Sequence, residues 1–129
     1  MVIDTSAVMS ILFGEPDARQ FALAIEAVPL RLISSGTALE SAIVIERAKG
    51  DAGQIDLERF FHRVKIEIVP FTLDQFEIAK FAYSMFGRRR SPAGLNFGDC
   101  FSYALSKSTG YPLLFKGDDF RQTDVVAAL

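Results

Sequence analysis

Short apolar runs and longer amphipathic stretches alternate along the chain. Met1 to Ile3 read as a short strand, after which Ala7, Val8, Ile11 and Leu12 recur at helical spacing until Gly14-Glu15-Pro16 breaks the run. Asp17 is placed to cap a second helix whose Phe21, Ala24, Ile25 and Val28 share one face. Leu30 to Ile33 read as a second strand, followed by Ser34-Ser35-Gly36-Thr37 and a helix through Lys49 that Gly50 ends. Ile55 to about Val64 reads as a helix with Phe60, Phe61 and Val64 inward. A third strand is predicted over Ile66 to Phe71. Thr72 to Phe86 then give a helix with Phe76, Ala79, Lys80 and Tyr83 at helical spacing. Asn96 to Ser108 form another helix, Pro112 to Phe115 a fourth strand, and Gly117-Asp118-Asp119-Phe120 opens a last short helical segment.

Strands alternating with helices predict an α/β fold. The expected form is a three-layer sandwich: a short, mainly parallel sheet of about four strands flanked by helices on both faces. With 129 residues the chain forms one domain, and no repeat, low-complexity tract or long linker divides it. In parallel sheets of this class, ligands bind outside the carboxyl ends of the strands.

Composition narrows the chemistry. One cysteine, Cys100, excludes an intrachain disulfide, and one histidine, His62, leaves the usual Cys/His zinc sets out of reach. Any metal must therefore be held by oxygen. The first residues lack a signal peptide's basic and apolar regions, and no apolar run approaches the roughly 18 residues of a membrane span. The expectation is a cytoplasmic protein with no membrane contact. A net charge of −2 argues against coating nucleic acid through a wholly basic surface. Arg88, Arg89 and Arg90 nevertheless stand together beside Ser91-Pro92-Ala93-Gly94, a turn-rich exposed loop, and with Lys107 and Lys116 are candidates for RNA contact.

The acidic residues fall where such a fold collects chemistry. Asp4 follows the first strand, Glu40 lies early in the helix after the second, and Asp118-Asp119 follow the fourth. Asp99 stands three residues after Asn96, at the start of its helix. Each has a plain structural reading at a helix N-terminus. Asp4 is a good N-cap, Thr37 to Glu40 fits a capping box, and Asp99 and Asp119 suit first turns. Capping does not explain why these helix starts should converge on one sheet edge. Carboxylates gathered there repel unless a cation neutralises them. Oxygen-only ligands suit Mg²⁺, with Mn²⁺ as a substitute, and such a metal supports phosphodiester hydrolysis without a covalent intermediate.

Three segments carry a family resemblance. Met1-Val2-Ile3-Asp4-Thr5-Ser6-Ala7 resembles the opening of VapC-type PIN domains. Leu95-Asn96-Phe97-Gly98-Asp99-Cys100 is similar to their central acidic motif, and Leu113-Leu114-Phe115-Lys116-Gly117-Asp118-Asp119-Phe120 to their closing strand and turn. Ala38-Leu39-Glu40 sits where the family's glutamate is expected. The resemblance implies a PIN fold, Mg²⁺-dependent RNA cleavage, a VapB-type antitoxin partner and a homodimer. By position, Asp4, Glu40, Asp99 and Asp119 match the family's acids, with Asp118 a rival for the last place. Thr5 or Ser6 and Asn96 match supporting polar positions, although ordinary helix-start hydrogen bonding explains Thr5 and Ser6 equally well.

Other features have simpler readings. Cys100 is at core spacing with Phe97, Phe101 and Ala104, and His62 reads as a surface residue. Twelve phenylalanines exceed what a small core hides, so some of Phe60, Phe61, Phe81 and Phe86 are expected at a surface that an antitoxin helix or a second copy would cover. A haloacid-dehalogenase-like enzyme would need an aspartate where Ser6 stands, and a receiver domain's acidic pair is not visible. The alternative from another class is a catalytically silent PIN-like module that binds protein or RNA without cutting.

Overall fold

A computed structural model describes residues 1–129. Its elements run β1 (Val2–Ile3), α1 (Thr5–Leu12), α2 (Ala18–Glu26), β2 (Leu32–Ser34), α3 (Ser35–Arg63), β3 (Glu67–Val69), α4 (Leu73–Phe86), α5 (Phe97–Thr109) and β4 (Leu113–Leu114). A short 3₁₀ turn over Phe120–Gln122 follows. The strands form one sheet in the order β3-β2-β1-β4, and every pairing is parallel. The sheet is thus wholly parallel, and β1 and β4, which carry Asp4 and Asp118-Asp119 at their ends, are neighbours.

Alternation along the strands divides the core in two, because successive side chains point to opposite faces. Ile3, Ile33 and Leu114 pack with Val8, Phe21, Ile25, Ile45 and Leu57 from α1, α2 and α3. Val2, Leu32 and Leu113 pack on the other face with Ala82, Tyr103 and Leu105 from α4 and α5. The three layers follow from this split. Burial on both faces is also why β1, β2 and β4 read as short apolar runs, whereas the edge strand β3 is exposed at Glu67 and Ile68. No helix is long and apolar enough to cross a membrane.

Several boundaries differ from expectation. Pairing covers two or three residues per strand, since flanking residues such as Phe115 are buried without joining the ladder. Gly50 ends the first helical segment of α3 as expected, its φ of 59° and ψ of −147° leaving the helical path, but the next segment does not wait until Ile55. The second segment restarts at once and folds back on the first. Gln54 Nε2 donates to the Ala42 carbonyl at 2.9 Å, and at Gly53 a Cβ would fall 2.8 Å from the Ile45 carbonyl oxygen. Asp17 holds the N-cap position of α2 without capping it. Its carboxylate instead accepts hydrogen bonds from Ser10 and Lys116, long-range partners that outcompete the local one.

Candidate active site

Asp4 caps α1 and is 5% exposed. Its Oδ2 accepts from the Ser6 backbone N–H at 2.9 Å and the Ser6 hydroxyl at 2.6 Å, while Oδ1 accepts from the Ser102 hydroxyl at 2.6 Å. The Ser6 hydroxyl also accepts from the Lys116 backbone N–H at 3.0 Å, so one serine joins the ends of β1 and β4. Thr5 donates to the Thr37 carbonyl at 3.4 Å, linking α1 to α3.

Asp99 stands in the first turn of α5 and forms a reciprocal capping box with Asn96. Its Oδ2 accepts from the Asn96 N–H at 2.8 Å, and Asn96 Oδ1 accepts from the Asp99 N–H at 2.9 Å. Capping does not exhaust its role. Its carboxyl is raised to about 7: burial contributes most, the Asn96 N–H pulls the other way, and the charges of Asp4, Asp119 and Glu40 add to the rise. The four acids therefore share one electrostatic field, centred on Asp99.

Glu40 has no capping role. Helix α3 starts at Ser35 with Ser34 as N-cap, which leaves the Thr37 to Glu40 box unmade and puts Glu40 in the second turn. Burial raises its pKa, the Asp4 charge adds to the rise, and the nearby Thr5 hydroxyl opposes it. Its carboxylate lies against α5 at Gly98, where a Cβ would fall 1.6 Å from Oε2. A glycine here lets α3 and α5 bring Glu40 and Asp99 together.

Asp118 and Asp119 lie on an exposed turn anchored by Phe120, whose ring sits 5.1 Å from that of Phe115. Asp119 is the member of the pair whose charge reaches Asp99. Neither caps the following turn through its side chain. No three Asp, Glu, His or Cys side chains close around a common point as a preformed metal cage. The acids are coupled through space rather than packed together. The donor set nevertheless fits a hard divalent cation, being oxygen only, with Asp99 and Glu40 both raised by burial and by neighbouring charge that a cation would offset.

The basic candidates separate. The loop bearing Arg88, Arg89 and Arg90 is exposed, closes through Arg88 N–H to the Leu95 carbonyl at 3.1 Å, and leads directly into Asn96. Gln122, just past the acidic turn, donates to the Pro92 carbonyl at 3.3 Å and holds the loop beside the site. Lys116 is engaged by Glu15 at 2.5 Å and Asp17 at 3.0 Å. Lys107 pairs with Asp124 at 2.9 Å, about 12 Å along the helix from Asp99. Cys100 is buried, with a thiol pushed up to about 11 by burial first and the Asp99 charge second, so it is a packing residue and not a nucleophile. His62 is exposed.

Among the phenylalanines, Phe81 is exposed as expected, whereas Phe60, Phe61 and Phe86 are half-buried. The most exposed is Phe97, at the rim of an apolar groove of about 480 Å³ between α4 and α5 that includes Phe71, Phe76, Tyr83 and Phe101. Sequence reasoning missed Ser102, Thr37, Ser41 and Gly98. A signal for two of them was available: Ser102 stands three residues after Asp99 and Thr37 three before Glu40, so these hydroxyls share helix faces with the acids.

A parallel sheet with acids placed beyond the ends of β1, β2 and β4 is the arrangement of a PIN domain, and the PIN-domain sequence profile matches residues 1–126. The chain is 50% identical over 127 residues to a protein of Mycolicibacterium smegmatis named ribonuclease VapC, covering 98% of each. It belongs to the VapC-type branch of the PIN family. Its fold matches the crystal structure of Mycobacterium tuberculosis VapC20, described as a sarcin-ricin loop cleaving toxin, with a TM-score of 0.78 at 17% identity, covering 97% of this chain and 95% of that one. It also matches a chain of VapBC2 from Rickettsia felis, solved bound to a DNA fragment from their promoter, with a TM-score of 0.76 at 15% identity, covering 98% and 95%.

Proposed function

We propose that this protein is a divalent-metal-dependent endoribonuclease, the toxin of a VapBC-type pair, acting as a homodimer that a VapB-type antitoxin holds in check. The observation that carries the reading is Asp99, a half-buried carboxyl raised to about 7 with three further acids bearing on it. A fold that needed only a cap would not retain so costly a set. The full-length likeness to a protein named ribonuclease VapC gives the reaction class, and the VapBC2 likeness supports an antitoxin partner.

Asp4, Asp99 and Glu40 would hold Mg²⁺ or Mn²⁺, with Asp119 at the solvent edge. A bound Mg²⁺ supplies Lewis acidity toward a phosphodiester and acidifies water. The chain's own residues do the rest. Ser6 fixes one oxygen of Asp4 and ties it to the turn after β4. Asn96 fixes Asp99 through the capping box. Gly98 admits the Glu40 carboxylate against α5. The Arg88 to Arg90 loop offers cations for RNA phosphates beside the acids, whereas Lys107 and Lys116 are already committed to acidic partners.

The test is cleavage of total RNA by the purified protein with Mg²⁺ and with chelator, alongside Asp4→Asn and Asp99→Asn. Cleavage should require the metal and disappear in both variants. Activity that survives chelation or both substitutions would refute the chemistry, and failure to cut any cellular RNA would leave a silent binding module.

A further inference from the structure

Ser102 lies wholly buried in the middle of α5, one turn beyond Asp99. A serine inside a helix ordinarily bonds a carbonyl of its own preceding turn. Ser108 and Thr109 of the same helix do so, donating to Leu105 at 3.2 and 2.7 Å. Ser102 instead reaches across to Oδ1 of Asp4, 98 positions away, at 2.6 Å. Its hydroxyl also lies 3.0 Å from that of Thr37, which is 1% exposed. A serine hydroxyl has one hydrogen, and here it goes to a carboxylate. Thr37 must then be the donor in the second bond, so the chain runs in one direction, Thr37 to Ser102 to Asp4.

Ser6 meanwhile occupies the other oxygen of Asp4 with two donors. Donors on both oxygens, from two different elements, fix the plane of the carboxylate. We infer that Ser102, oriented by Thr37, is the positioning residue that aims Asp4 into the acid cluster. The inference rests on the reading of Asp4 as a cation-holding residue. Partners that orient a metal-holding side chain commonly matter 10- to 100-fold for affinity. Ser102→Ala leaves Asp4 Oδ1 without this donor and the Thr37 hydroxyl without its acceptor.

The test is direct Mn²⁺ binding by the intact protein, with no RNA present, read from the free-ion paramagnetic resonance signal alongside thermal melts. Ser102→Ala should bind roughly tenfold more weakly or worse, and Asp4→Asn should lose binding. Thr37→Val keeps shape but removes the hydroxyl and should weaken binding about threefold, while Thr37→Ser should bind as wild type. A packing role would move the melts and leave Mn²⁺ affinity alone. If Asp4→Asn loses binding while Ser102→Ala and Thr37→Val match wild type, the role of Ser102 is refuted and the acid cluster stands. If Asp4→Asn binds as wild type, or wild type does not bind, both fall. Should Ser102→Ala show no folding transition, the Thr37→Val and Thr37→Ser pair decides the matter by the same criterion.

Discussion

Replacing Asp99 with asparagine should make the metal-free protein more stable while abolishing its activity. The substitution keeps an oxygen that accepts from the Asn96 N–H, so the capping box survives, and removes only the charge. Moving a carboxyl from its ordinary 3.8 to about 7 corresponds to a ceiling of roughly 4 kcal/mol against the ionised form. Partial solvent access screens the charge, and about 2 kcal/mol is the reasonable expectation. A carboxyl with a raised folded-state pKa binds its proton more tightly folded than unfolded, so stability is lost as pH rises from about 4 to about 7. The variant escapes that loss. Its advantage should be complete at about pH 8, less than half as large at about pH 5, and worth roughly 8 °C in melting temperature at the higher pH. Urea denaturation in chelator at both pH values measures it. Added Mg²⁺ should then raise the wild type and not the variant, since only a ligand that binds the folded state stabilises it. A variant no more stable than wild type at pH 8, or equally favoured at both pH values, would refute the account of a charge held at a cost.

Three further outcomes are expected. Gly98→Ala places a methyl where Glu40 Oε2 now lies, so the glutamate must swing away. RNA cleavage should fall about 100-fold while the melt stays within about 1 kcal/mol of wild type, alanine being the better helix residue; cleavage within twofold of wild type would sink this. Tyr103→Phe removes the 2.6 Å bond to Asp124 and should cost about 1.5 kcal/mol in denaturation without altering cleavage, because the hydroxyl bonds Asp124 and none of the four acids. Neutralising Arg88, Arg89 and Arg90 together should weaken RNA binding and flatten its dependence on salt by about 0.7 log units per lost phosphate contact, whereas Lys107→Ala should leave both unchanged. Equal effects of the two changes on a salt titration would overturn the division between a free loop and a paired lysine.

The fold class and element order were legible because β1, β2 and β4 are buried on both faces and the helices present apolar sides to them. What could not be read were choices between local and distant partners. Asp17 has the position of a cap, but Ser10 and Lys116 take its carboxylate. Thr37 to Glu40 has the letters of a capping box, but Ser34 caps α3 first and moves Glu40 a turn inward. The choice between Asp118 and Asp119 depended on which side chain reaches the field of Asp99. The spacing of Ser102 from Asp99 could be read, but its bond to Asp4 became visible only once α5 was laid beside β1, since nothing in sequence links positions 98 apart.

Capping and acid clustering were opposed readings of the same residues, and the two are compatible. Asp4 and Asp99 cap their helices and also belong to the shared field. A helix start offers a carboxylate backbone N–H donors and the positive end of a dipole, both of which favour the charged form. For Asp99, burial still outweighs the pull of the Asn96 N–H. Helix N-termini therefore lessen the repulsion among the acids without removing it, and the remainder is what a divalent cation would relieve. This gives Glu40 its particular place. Early in its helix but beyond the capping turn, it relies on the space at Gly98 and on Thr5, so it should be the acid that a local packing change dislodges most easily.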